Sequence, residues 1–296
     1  MQDPLSNNDS EPYMRPNKGQ ADYWNSPATA PWVTLQERLD TLLAPLAEAL
    51  IAVARPTRGE NVLDIGCGCG ATVLDLARCV DVTGHVIGID ISTPMLGRAK
   101  ERVASDGVSG VTLTLADAAT EPFPPGSIDL VFSRLGIMFF DDPVLAFANI
   151  RRALKPSGRM VFLCCRAAPE NRYITMAVQA ARPLLPIGAA PIPLPHLPGM
   201  FSLADATRVE SILKLAGFRD IALLPYDQPM FLAGPGGADQ AAAFSVQFGP
   251  LTRVLDDAEP ATRKAILETV AARYRTIEGP EGIILEGAFW IVTARP

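Results

Sequence analysis

The sequence predicts an α/β chain built on a doubly wound, mostly parallel sheet, and three observations lead there. From Asn61 to Arg166 short apolar runs alternate with stretches of helical period, the pattern of strands joined by crossover helices. The first strand runs into a glycine-rich turn, Gly66-Cys67-Gly68-Cys69-Gly70, and the second ends on a carboxylate, Asp90. Both features fall where strand gives way to helix, the edge at which open α/β sheets bind ligands.

Taken in order, residues 1–20 are polar and rich in Asn, Asp and Pro, with no basic start and apolar signal core, and are expected to form the disordered tail of a cytoplasmic protein. Residues 21–60 form a helical lid segment: Leu35, Leu39, Leu42, Leu43, Leu46 and Leu50 share one face, and Pro45 is the place for a bend. The core, 61–166, carries strands at 61–66, 86–90, 111–116, 128–133 and 159–165. Helices at 71–80, 94–105 and 143–154 join them, the last opened by Asp142-Pro143, and Pro156-Ser157-Gly158 turns into the fifth strand. Residues 167–296 are a substrate cap interleaved with the last strands. Prolines crowd Pro183 to Pro198, which predicts a loop, read as a lid. A helix over 204–216 stopped by Gly217, a strand over 218–224, a helical stretch over 238–277 and a final strand over 283–293 complete the chain.

Composition narrows the function. Of 296 residues 48% are hydrophobic, enough for a large core, and no uncharged apolar run is long enough to span a bilayer. A net charge of −6 argues against a nucleic-acid partner. Five cysteines, an odd number in close pairs, fit reduced thiols, and the Cys67-x-Cys69 pair has no histidine or second pair to complete a metal site, so no metal is expected.

The glycine turn has two functional readings, because Gly66, Gly68 and Ala71 also fit the dinucleotide fingerprint of a nicotinamide-dependent oxidoreductase. Asp64 discriminates between them. A carboxylate two residues before the first glycine repels a pyrophosphate and suits an ammonium group. S-adenosylmethionine has an ammonium, a ribose and no phosphate. The run Val62-Leu63-Asp64-Ile65-Gly66-Cys67-Gly68-Cys69-Gly70, followed at βα spacings by Asp90, Asp117-Ala118 and Ser133, resembles the class I S-adenosylmethionine-dependent methyltransferases.

That resemblance implies a Rossmann-like seven-stranded sheet of order 3-2-1-4-5-7-6 with an antiparallel last strand and a helical, proline-rich cap. It implies S-adenosyl-L-methionine as cofactor and S-adenosyl-L-homocysteine as product. Asp64, Gly66, Gly68 and Gly70 would line the methionine end, Asp90 the ribose, Ile91 and Met95 the adenine. Asp117 and Ala118 would read the adenine edge, Ser133 would approach the cofactor from the fourth strand, and Trp24, in the aromatic segment Tyr23-Trp24-Asn25, would cover it. Blander readings exist: Asp64 and Asp90 also suit helix caps, Asp117 an ordinary loop, Cys164-Cys165 strand packing, and Asp141-Asp142 capping rather than magnesium.

For the acceptor, Arg134-Leu135-Gly136-Ile137-Met138-Phe139-Phe140 follows the fourth strand at the ligand edge, so Arg134, Met138 and Phe139 are candidates, with Tyr173 and Tyr226 from the cap. His196 is the one candidate general base, and a solvent-exposed loop histidine is its plainer reading. The chain lacks the Asn/Asp-Pro-Pro-aromatic motif of base and glutamine-amide methylation. The expected acceptor is a small, mostly apolar organic molecule, as in the ubiquinone and menaquinone branch. A protein or tRNA methyltransferase is the alternative.

Overall fold

The computed structural model describes residues 17–296 except 187, 188, 190, 191, 193, 195, 256 and 257. Seven strands form one sheet: β1 (Asn61–Ile65), β2 (His85–Asp90), β3 (Val111–Leu115), β4 (Ile128–Arg134), β5 (Leu154–Cys165), β6 (Arg219–Ala233) and β7 (Ile283–Arg295). Their order is β3-β2-β1-β4-β5-β7-β6, and β7 runs antiparallel to both neighbours while β1 to β5 are parallel. β1 and β4 are buried along almost their whole length because helices cover both faces, so neither shows an in-out alternation.

Helices follow the sequence pattern closely in the core. Lys18–Trp24 (α1) and Pro31–Thr34 (α2) lead into Gln36–Ala54 (α3), which runs through Pro45 without interruption and buries its leucine face on β4, β5 and β6. Ala71–Val80 (α4) and Thr93–Asp106 (α5) are the first two crossovers. Pro143–Ala153 (α6) starts as expected, with the Asp142 carboxylate accepting the Leu145 N–H at 3.0 Å. β5 opens at Leu154, and Lys155-Pro156-Ser157-Gly158 bulges between the Ile128–Leu154 and Leu130–Arg159 pairs.

Beyond the core the structure departs from the sequence reading in two places. Arg172–Ala181 (α7) had no predicted counterpart. Tyr173 through Ala177 are buried, and Arg172, Thr175 and Gln179 recur at i, i+3 and i+7, a helical period that the sequence reading passed over. Strand β6 extends nine residues past the predicted end at Leu224. Pro225 and Pro229 read as breakers, yet they share one parity on an edge strand and their missing N–H groups point away from β7. Ala206–Leu215 (α8) packs on β6, while Ala238–Gln247 (α9), Leu251–Leu255 (α10) and Pro260–Arg275 (α11) build the cap with α7 around the fully buried Tyr274. Among the described residues no helix is long and apolar enough to cross a membrane.

Candidate active site

The carboxyl ends of β1, β2 and β4, the segment 17–36 and the cap enclose one cavity. Its floor is the glycine turn. Gly66 and Gly68 have φ of 68° and 54°, a region costly for any side chain. At Gly66 a Cβ would lie 2.6 Å from the Gly136 Cα, so the turn crosses the loop after β4 with backbone against backbone. At Gly68 the nearest atom to such a Cβ is the Met95 Sδ at 3.9 Å, leaving bare peptide facing the cavity. Gly70 serves α4 instead: its Cβ would press on Ala99 at 3.0 Å, and it is not on the cavity wall.

Asp90 ties the turn to β2. One carboxylate oxygen accepts the Gly68 N–H and the other the Ser92 N–H, both at 2.8 Å. Burial pushes this carboxyl up, and the backbone N–H groups oppose the shift. Each oxygen keeps a lone pair for a further donor. Ile91, Met95 and Ala118 complete this wall.

Two charges lie under the same end, Asp64 buried and Arg134 half-buried. Asp64 is 1% exposed; Thr72 donates to its Oδ2 at 2.5 Å, and its Oδ1 has no partner among the described residues. Burial raises its carboxyl from 3.8 to about 7. Thr72, in the first turn of α4, reaches the cavity wall, whereas Asp64 sits behind it. Arg134 does line the cavity. One of its terminal nitrogens makes a long 3.4 Å bond to the Leu43 carbonyl, its Nε has no partner, and no carboxylate forms an ion pair with it among the described residues. Burial lowers its pKa, offset by the fields of Asp40, Asp64 and Asp75. Ser133 is spent inside the sheet, where its Oγ donates to the Ile65 carbonyl at 2.7 Å.

The N-terminal segment closes the mouth. Asn17 is buried, which corrects the expected tail boundary: residues 17–20 belong to the lid, and 1–16 lie outside the described residues. The Asn17 Nδ2 donates to both Asp117 oxygens at 2.9 Å; its backbone N–H donates to Asp141 and its Oδ1 accepts the Asp141 N–H, each at 2.6 Å. Asp117, on the cavity wall, therefore turns its carboxylate toward the lid. Asn25 bonds the Ile91 carbonyl and the Thr93 N–H, both at 2.9 Å. Trp24 sits edge-on to Trp32 and Phe139 at 5.5 and 5.1 Å, and Trp32 continues the row to Phe248 of the cap at 5.0 Å.

The far half of the cavity is apolar, with Met138 and Phe139 after β4, Tyr173 from α7 and Cys165 at the end of β5. Burial lifts the Tyr173 hydroxyl well above its usual range and the Cys165 thiol to about 12, so both keep their protons at neutral pH. Two acceptor candidates fall outside. His196 is exposed and off the wall, and Tyr226 lies on β6 with its hydroxyl bonded to Gln228 at 2.7 Å. The sequence reading missed Asn17, Thr72, Gln36 and Asp40. The last two carried a signal: Gln36, Leu39, Asp40 and Leu43 form a single i, i+3, i+4, i+7 stripe that mixes polar and apolar residues and faces the cavity.

Sheet order, glycine turn and acidic second-strand end together define an α/β methyltransferase fold. Residues 63–162 match the family described as "Methyltransferase domain". Over this core the chain is similar to proteins named as methyltransferases. Aklanonic acid methyltransferase of Streptomyces sp. (strain C5) is 37% identical over 118 residues, covering 40% of this chain and 54% of that protein. A ubiquinone/menaquinone biosynthesis C-methyltransferase of Saccharophagus degradans is 38% identical over 120 residues, 40% of this chain and 48% of the relative. The chain spans about half the length of these two relatives. Among solved structures, the YcgJ protein of Bacillus subtilis aligns with a TM-score of 0.56 at 17% identity over 84% of this chain and 97% of its own, a likeness of fold.

Proposed function

We propose that the chain transfers the methyl group of S-adenosylmethionine to a small, mostly apolar organic acceptor. The observation that carries this reading is a single cavity with two chemically unlike halves, one of glycine peptide and carboxylates, the other of aromatic and aliphatic side chains. The first half fits the donor. Asp90 retains acceptor capacity for ribose hydroxyls, the bare peptide at Gly68 admits close approach, and the unpartnered Asp64 oxygen favours an ammonium over a pyrophosphate. Trp24 and its aromatic neighbours support a role as cover for the adenosine, and Ile91, Met95 and Ala118 as its apolar bed.

When bound, the cofactor supplies a methyl group already activated by its sulfonium. What remains for the chain is to hold the acceptor in line and to exclude water, which side chains such as Met138, Phe139, Tyr173 and Phe248 suit. Neither histidine lines the cavity, and Tyr173 and Cys165 retain their protons, so the acceptor atom is one that is nucleophilic, or ionised, without a histidine base. The five unbridged thiols suit a reducing, cytoplasmic setting.

The test is turnover. Incubating the full chain with methyl-labelled cofactor and a panel of phenols, carboxylic acids, quinols and amines is expected to yield S-adenosylhomocysteine in step with label in an organic-extractable product. Label found only in protein or tRNA would replace this reading with the macromolecular one.

A further inference from the structure

We propose that Arg134 belongs to the donor rather than to the acceptor: its guanidinium holds the carboxylate of the cofactor's amino-acid end, while Asp64, behind the cavity wall at Thr72, supplies the negative field that the neighbouring ammonium needs. The inference rests on the methyltransferase reading and assigns a residue within it.

Four buried side-chain atoms lack a hydrogen-bond partner among the described residues, and two of them are the Asp64 Oδ1 and the Arg134 Nε. They carry opposite charge at the ends of adjacent strands. β1 and β4 pair in parallel with Asp64 opposite Phe132, and the Ser133 hydroxyl clamps the two ends together through the Ile65 carbonyl at 2.7 Å. Buried polar atoms of charged groups are disfavoured without a partner, so the pair invites explanation. They do not form an ion pair with each other among the described contacts, and the other acids facing Arg134 are engaged elsewhere. Asp40 on α3 receives Arg102 at 2.7 Å and Gln36 at 2.5 Å, and Asp75 on α4 receives Arg78 at 3.0 Å.

An α-amino acid presents an ammonium and a carboxylate on one carbon. It needs an anion and a cation side by side, with donors on the cation turned to the same space. Arg134 lines the cavity, and so does Thr72, which holds the other oxygen of Asp64. The cofactor carries one such zwitterion. An acidic acceptor would satisfy Arg134 alone and leave Asp64 unexplained. A guanidinium also suits the carboxylate better than an ammonium would, because its fork offers two parallel donors.

Calorimetry on the full chain separates these readings by using two ligands, S-adenosylhomocysteine and 5′-methylthioadenosine, which keeps the adenosine and thioether but lacks the amino-acid end. Arg134→Met is expected to weaken S-adenosylhomocysteine by about 30-fold and to leave methylthioadenosine within about twofold, and Asp64→Asn is expected to show the same selectivity. Should Arg134→Met fail to fold, Arg134→Lys carries the same contrast, with about fivefold loss for the first ligand and none for the second. Equal losses for both ligands would mean a structural role and overturn the proposal. So would unchanged affinity for both, above all if the acceptor KM rose. Wild-type chain that binds neither ligand would overturn the methyltransferase reading and this one with it.

Discussion

At the scale of single residues, Asp64 sets the pH behaviour. Burial raises its carboxyl to about 7, so the folded chain keeps a proton that the unfolded chain releases near 3.8. Stability without ligand therefore declines as pH rises from about 4 to about 7, the window between the two values. Ligand binding runs the other way, because an ammonium favours the ionised carboxylate. S-adenosylhomocysteine affinity is expected to climb by up to about tenfold per pH unit below neutrality and to level off above it, with proton release in calorimetry. Asp64→Asn is expected to flatten that dependence; an unaltered pH profile in this variant would remove Asp64 from the site. Asp90→Ala is expected to weaken the same ligand by about 1 to 3 kcal/mol, measured by titration, since it removes a ribose acceptor and unties the Gly68 turn at once. Asp90 and the glycines were legible in the sequence because backbone chemistry confines their types to these positions. Asn17 and the orphaned ends of Asp64 and Arg134 were not, because they depend on which distant groups fold onto them.

At the scale of elements, the segment from Asn17 to Trp32 is the wall that closes the mouth of the cavity. Its attachments are side-chain hydrogen bonds to Asp117, Asp141, Ile91 and Thr93 and a row of edge-on rings, all made far from its place in the chain. Removing residues 1–16 is expected to leave S-adenosylhomocysteine affinity unchanged, whereas removal through Trp32 weakens it by about tenfold or more, on the order of 1.4 kcal/mol. Equal affinity of the two truncations would end the idea that this segment covers the cofactor. Asn17→Ala is expected to lower thermal stability by about 1 to 3 kcal/mol, because the Asp117 carboxylate loses its side-chain donor and the Asp141 N–H loses its acceptor. The core elements could be read from the sequence because strands buried on both faces are plain apolar runs and their crossovers carry period and caps. Helix α7 was legible in principle, since Arg172, Thr175 and Gln179 recur at helical spacing, whereas the second half of β6 escaped because its edge position tolerates prolines that a central strand would not.

At the scale of the whole molecule, the donor and acceptor surfaces proposed above come from different parts of the chain. β1, β2 and β4 present the donor side, and α7 with the segment through Phe248 to Pro250 presents the acceptor side. The donor side is written in short motifs. The acceptor side is made of common apolar residues whose meaning is only their position, which is why His196 and Tyr226 drew attention in the sequence and lie off the wall in the fold. The central claim is that both surfaces serve one methyl transfer to a small molecule. Its most direct measurement is the balance of label in a single reaction of the full chain with methyl-labelled S-adenosylmethionine and small acceptors. The account predicts one equivalent of S-adenosylhomocysteine for each equivalent of methyl recovered in a small, organic-soluble product, with both lost in Asp90→Ala at limiting cofactor. Cofactor that binds tightly and returns unchanged from every acceptor would contradict it.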